Sequence, residues 1–233
     1  MTTLVINKRT TTCDQIKEMA QSDFGVFYIQ KCASDWLNLT AESARMMGKP
    51  SDSLKGAAQV FLQGAVGVTI PLAISSTIEL GQAASALSKR TTPLTSRERC
   101  DFLQKMATSA QMVFHSACAF TKNALCGVIG DMWGAAEDIC DAVSNGEHVY
   151  SLNQKQVQNL SSDARVYLDE SKKLHSMKLI KAIIAATAGI LGLLSLVFGP
   201  LVPAIALLTM ITASSSLSII NRLYKMNMTY VLA

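Results

Sequence analysis

Residues 182–220 read AIIAATAGILGLLSLVF, GPLVP, AIALLTMITASSSLSII, and no charged residue or histidine occurs between Lys181 and Arg222. A charge-free run of roughly 40 residues is about twice the ~20 that a helix needs to cross a bilayer. Gly199, Pro200 and Pro203 interrupt it near the middle. Proline withdraws a backbone donor and disfavours helix in the residue before it, so this segment predicts a turn. Two apolar arms result, Ala182–Phe198 and Ala204–Ile220, each at the short end of the spanning range. A soluble core helix carries a polar face, and these arms carry only Ser and Thr. Ser214, Ser215, Ser216 and Ser218 make the second arm the more polar, but hydroxyls bond back to helix carbonyls and do not forbid insertion. Gly189 and Gly192, with Ala185, Ala186 and Ala188, offer a small-residue face for close helix approach.

Basic residues stand outside the arms. Lys178 and Lys181 precede the first, and Arg222 and Lys225 follow the second. Positive charge on both outer flanks and none in the turn predicts a hairpin with both ends on the cytoplasmic side.

The 233-residue chain fits one domain, or one domain plus an appendage. Charged residues make up 16% and hydrophobic residues 49%, which excludes a disordered chain. A net charge of +4 gives no argument for nucleic acid as a partner. Residues 1–12 contain Lys8 and Arg9 but no apolar run after them, unlike a secretory signal. Six cysteines without CxxC or Cys/His spacing read as free thiols in a reducing compartment.

Ahead of the hairpin the patterns are helical, which makes the fold class all-α: a helical cytosolic bundle over 13–177, a two-helix transmembrane hairpin over 178–222 and a tail over 223–233. Capping boxes place helix starts at Thr12/Gln15, Thr95/Glu98 and Ser151/Gln154. Lys49-Pro50-Ser51 and Ser88–Pro93 read as breaks, and Ser144-Asn145-Gly146 as a helix stop. Gly56–Ile78 is also free of charge. Gln59 and Gln63 within it favour a buried central helix kinked at Pro71 over a second membrane-touching segment, because an amide in lipid without partners costs ~2–7 kcal/mol. Phe102, Met106, Met112, Val113, Phe114, Phe120, Leu125, Val128, Ile129, Met132 and Trp133 form an apolar stripe expected to be core. Asp131, Glu137, Asp138, Asp141 and Glu147 read as a solvated acidic face; their spacing matches no calcium loop or two-His motif. Val157, Leu160, Ala164, Tyr167 and Leu174 form a narrow seam on a helix expected to run from Ser151 toward Lys178, docked on the bundle or on a partner helix.

No phosphate-binding loop, nucleophile elbow, zinc-protease helix or dinucleotide fingerprint is present in the sequence. His115 reads as a core histidine, and His115 with Cys118 lacks an orienting third group. No enzyme activity, cofactor or metal is expected.

Two short apolar arms around a Gly/Pro turn, Ala182–Phe198, Gly199–Pro203 and Ala204–Ile220, form a bilobed hydrophobic domain. With the Thr-rich start MTTLVINKRTTT, this resembles the chlamydial inclusion membrane proteins. The resemblance covers the hairpin and the first dozen residues. It implies type III secretion into a host cell and insertion into the membrane of the pathogen-containing vacuole, with both termini in host cytosol. It further implies an adaptor that recruits a host protein, its partners being the bilayer, that protein and further copies of the chain. Membrane remodelling and an oligomeric pore are the alternatives, the pore disfavoured by arms without ionisable residues.

Overall fold

The computed structural model describes residues 4–6, 14–15, 18–19, 21–121, 124–154 and 161–232. Seven long helices follow one another: α1 Asp23–Met46, α2 Asp52–Gly67, α3 Thr69–Ser88, α4 Ser96–Thr121, α5 Ala124–Gln154, α6 Ser162–Phe198 and α7 Ala204–Asn227. A two-stranded antiparallel ribbon joins β1, Leu4–Ile6, to β2, Tyr230–Leu232, with Val5 opposite Val231. The fold is all-α apart from this ribbon. The ribbon lies partly within residues 1–12, a stretch expected to be an unstructured secretion signal, and pairs the backbone of Leu4–Ile6 with that of Tyr230–Leu232.

Local chemistry explains most of the boundaries. Ser22 caps α1 by accepting from Gly25 N at 3.1 Å. The same helix ends at Gly48, whose φ of 70° lets Lys49 N reach back to Ala44 O at 2.9 Å. Thr95 and Glu98 form a reciprocal capping box at the start of α4, with Thr95 N to Glu98 Oε2 at 2.9 Å and Glu98 N to Thr95 Oγ1 at 3.3 Å. Lys49–Ser51 and Arg90–Pro93 lie between helices as expected. Thr12 lies outside the described residues.

Three boundaries differ from expectation. First, α5 runs straight through Ser144-Asn145-Gly146 to Gln154. The Asn145 amide nitrogen donates to Asp141 O and Oδ1, both at 2.8 Å, so a residue that favours a stop is held inside the helix by partners. Second, Ser151 does not start a helix: it lies in the last turn of α5 and its hydroxyl donates to His148 O at 2.9 Å. The helix that becomes the first apolar arm starts instead at Ser161, whose hydroxyl accepts from Ala164 N at 3.3 Å. From there α6 is continuous into the arm. Third, the Gly56–Ile78 run breaks at Val68 and does not kink at Pro71. Pro71 falls in the first turn of α3, where its missing N–H costs nothing.

The interior is built from small residues. Ala41, Ala58, Ala65, Ala107, Ala182 and Ala188 are buried, as are Ser34, Ser76, Ser109, Thr212, Ser214 and Ser215. Among the described residues, a cluster of buried larger side chains joins Leu72 and Met112 with Ala73, packed against Phe27. Large apolar side chains point outward, among them Phe61, Ile74, Phe120, Leu196, Val197 and Phe198. The stripe over 102–133 was expected to be core; Met112 is buried, but Val113, Phe120, Leu125 and Met132 are exposed. Close approach of helices through Ala, Gly and Ser leaves no room inside for bulk, so the bulk faces out.

Candidate membrane surface and interhelical cavity

Among the described residues, three helical runs are long and apolar enough to cross a membrane: Asp52–Ser88, Ser162–Phe198 and Ala204–Asn227. The first corrects the expectation of a buried central helix at Gly56–Ile78. Val60, Phe61 and Leu62 of α2 and Ile70, Ile74 and Ile78 of α3 are exposed. The three isoleucines, spaced i, i+4, i+8, make one outward row. The opposite side of α3 is stitched to α4 by hydroxyls, Thr77 to Ser109 at 3.0 Å and Ser116 to Thr69 at 3.1 Å. Gln59 and Gln63 lie on the exposed side, where an amide keeps its solvent partners.

At the tip between α6 and α7, Gly199 takes φ 83°, a conformation that disfavours any side chain, and Pro203 stands at the N-cap of α7. Pro200 and Pro203 are exposed, and so are Leu196, Val197, Phe198 and Leu201, with Val197 at 74% and Phe198 at 72%. A contiguous apolar tip of this kind on a water-soluble protein is an interaction surface.

The inward faces of the arms are committed to the rest of the chain. Gly189 of α6 abuts Ala135 of α5 so closely that a Cβ on Gly189 would stand 3.0 Å from that of Ala135. On α7 the serine stripe faces α1: Thr212 Oγ1 donates to Asp35 O at 3.2 Å, and Trp36 Nε1 donates to Ser216 Oγ at 3.1 Å. The serines that weaken the second arm as a lipid-facing helix are therefore the ones turned to a neighbour.

The four flanking basic residues have different surroundings. Lys225 is exposed. Arg222 Nη2 donates to Ser22 Oγ at 3.0 Å. Lys178 is half-buried. Lys181 faces inward, with Nζ 2.9 Å from Asp138 Oδ1 and 3.9 Å from Asp141 Oδ2, so it serves α5 and does not face headgroups.

That pairing corrects the reading of a solvated acidic face for Glu137, Asp138 and Asp141, while Asp131 and Glu147 are exposed as expected. Asp138 and Asp141 are only 22% and 21% exposed at the side chain. Burial pushes the Glu137 carboxyl up to about 7, with Lys181 pulling the other way, and burial raises Asp138 too. The polar contact continues along the helix pair: His175 Nδ1 lies 2.8 Å from Asn145 Oδ1, and the His148 and His175 rings meet at a tilt of 51° with centroids 4.0 Å apart. His115 is half-buried with Nε2 3.6 Å from Asp131 Oδ1, and burial lowers its pKa. Among the described residues no cluster of His, Cys, Asp or Glu could hold a metal ion, and the five described cysteines are free.

Glu137 gives a pH prediction with a definite sign. The folded chain holds a proton that the unfolded chain, with an ordinary value of 4.5, has already lost. Stability therefore falls as pH rises from 4.5 to about 7 and stays lower above that. At ~1.4 kcal/mol per pH unit, that window amounts to at most about 3 kcal/mol. Glu137→Gln is expected to raise the denaturant midpoint at pH 8 and leave it unchanged at pH 4. Equal midpoints at pH 8 would show that the carboxylate pays no burial cost.

The docking seam is only partly in view. Val157 and Leu160 lie outside the described residues. Ala164 and Tyr167 are half-buried and Leu174 is buried, all on α6, and the helix that was to carry all five ends at Gln154. The seam's described members share a helix with the first arm and not with Ser151.

Sequence reasoning missed the α5–α6 ion pairs and the cavity beside them. Lys181 and Asp138 are 43 positions apart, and no local spacing signals their meeting. No protein-family model matches this chain, and neither does any curated protein or solved structure.

Proposed function

We propose that this chain is a membrane-anchored interaction protein of a pathogen-containing vacuole. The arms 182–198 and 204–220 act as a transmembrane hairpin when they separate from α5 and α1, on which Gly189 and Ser216 pack here, and the other helices then face host cytosol to recruit a host protein. The observation that carries the membrane reading is the inversion of size between interior and surface: Ala, Gly and Ser inside, with Leu196, Val197, Phe198 and Leu201 outside around the Gly199 turn. The Ile70, Ile74 and Ile78 row adds a second apolar surface that rests against the same bilayer. The assignment to a vacuole membrane and to an adaptor role rests on the resemblance of the bilobed hairpin and the Thr-rich N-terminus to inclusion membrane proteins.

The test is expression of the full chain in host cells with a tag at each end. Both tags are expected to be reachable by antibody after permeabilising only the plasma membrane, and the protein is expected to resist alkaline carbonate extraction. Extraction of most of the protein by carbonate would overturn the anchor, and a tag shielded from antibody would overturn the hairpin topology.

A further inference from the structure

Helices α1, α4, α5, α6 and α7 enclose a half-open cavity of about 420 Å³. Its two ends differ in chemistry. One is apolar and is walled by Gly192, Leu193, Leu196, Leu207 and Ile211. At the other, Tyr28, Lys31, Glu137, Asp138 and Lys181 converge.

The cations at the polar end already have partners. Lys181 Nζ is 2.9 Å from Asp138, and Lys31 Nζ is 3.0 Å from Asp35. Asp131 at the margin is exposed and lies 3.6 Å from Nε2 of His115, whose ring is held toward the neutral form by burial. Glu137 is different. It lines the cavity beside Thr108, yet among the described residues no cation stands within ion-pair distance of it. The groups around it are Tyr28 and Lys31 from α1, Thr108 from α4, Asp138 and Asp141 from α5, and Lys181 from α6. From α7 the cavity receives only hydroxyls, those of Ser214, Ser215 and Ser218, besides apolar groups. With Lys31 neutralised by Asp35, and Lys181 shared by Asp138 and Asp141, the polar end keeps an excess of negative charge. Above pH 7, where Glu137 gives up its proton, a ligand carboxylate would meet repulsion there, and a neutral chain would leave the Glu137 carboxylate without a counter-charge in a desolvated site.

We propose that the cavity binds a long-chain primary ammonium, its head paired with Glu137 and its chain laid along Gly192, Leu196 and Ile211. The site is complementary in charge at one end and in apolarity at the other, as small-molecule sites are. Gly192 lines the cavity and a Cβ there would meet nothing within 4 Å, so a larger side chain at that position has room.

The test uses the full chain in a non-ionic detergent at pH 8, followed by circular dichroism on heating. Dodecylammonium is expected to raise the midpoint by several degrees through preferential binding to the folded state. Dodecanoate, dodecanol and the zwitterionic lysophosphatidylethanolamine are expected not to. Glu137→Gln removes the counter-charge and Gly192→Leu fills the apolar end. Each is expected to weaken dodecylammonium at least tenfold while keeping the native helical signal. No shift, an equal shift from dodecanol or dodecanoate, or a wild-type response in both variants would overturn the proposal. An equal shift from the lysolipid would overturn the assignment to a simple ammonium. No bilayer is needed for this measurement, so it stands apart from the test of membrane insertion.

Discussion

Arginines at Leu201 and Val202 are expected to abolish stable insertion of the full chain. Both positions lie in the turn between α6 and α7, and Leu201 is 49% exposed, so the substitutions remove little packing. The helical signal in detergent should stay as it is. Insertion is another matter, because the turn must pass through the bilayer for both ends to remain on one side. An arginine held at bilayer depth costs on the order of 2.5–3.5 kcal/mol. Two of them shift the partition by more than a thousandfold, at ~1.4 kcal/mol per factor of ten. The fraction resisting carbonate extraction should fall from most of the protein to almost none. Asparagines at the same two positions are the control and should retain most of it. An arginine pair with the wild-type resistant fraction would mean that the turn never crosses, and that α6 and α7 lie along the surface.

Lys181→Met is expected to be the most destabilising single change among those that keep side-chain volume. The lysine stem packs at the α5–α6 contact while its ammonium serves Asp138 and Asp141. Methionine fills much the same space but leaves two partly buried carboxylates, next to Glu137, without their cation. Removing one partner from a fully buried pair costs ~3–5 kcal/mol. Here both sides are about one-fifth exposed, so roughly 2–3 kcal/mol is the expected loss of stability, read as a lower denaturant midpoint in detergent. Adding Asp138→Leu to Lys181→Met should recover much of that loss, since it removes the stranded charge along with the broken pair. A double-mutant cycle measures the coupling directly. Additive losses in the double variant would show that the two side chains do not depend on each other.

These two experiments act on different levels of the molecule. The turn is defined by adjacent residues whose backbone preferences act wherever the chain finds itself, and Gly199, Pro200 and Pro203 would interrupt a helix in almost any context. The Lys181 pair exists only because α5 and α6 lie side by side.

The same division runs through the rest of the chain. The sequence by itself determined that the protein is helical, that 182–220 is two apolar arms about a turn, and that α4 starts at Thr95, because charge-free runs, prolines and capping boxes act over a few residues. It misplaced the start of α6, since Ser151 has hydroxyl chemistry suited to a cap but sits inside α5, while Ser161 does the capping. It ended α5 too early, since the partners that hold Asn145 in the helix include His175, thirty positions later.

Only the tertiary structure decided which side of each helix faces inward. An arm apolar all round gives no periodic signal of its inner face. That face is chosen where Gly189 meets Ala135 and where the α7 serines meet α1. Nor does composition tell a buried apolar run from an outward one. Gly56–Ile78 read as core because its glutamines are costly in lipid, yet helices that approach through Ala and Ser turn their isoleucines out. Asp138 and Asp141 of α5 likewise read as solvated until α6 covered them and supplied Lys181. A short-range pattern records what one segment prefers, whereas burial and pairing depend on which other segment arrives beside it.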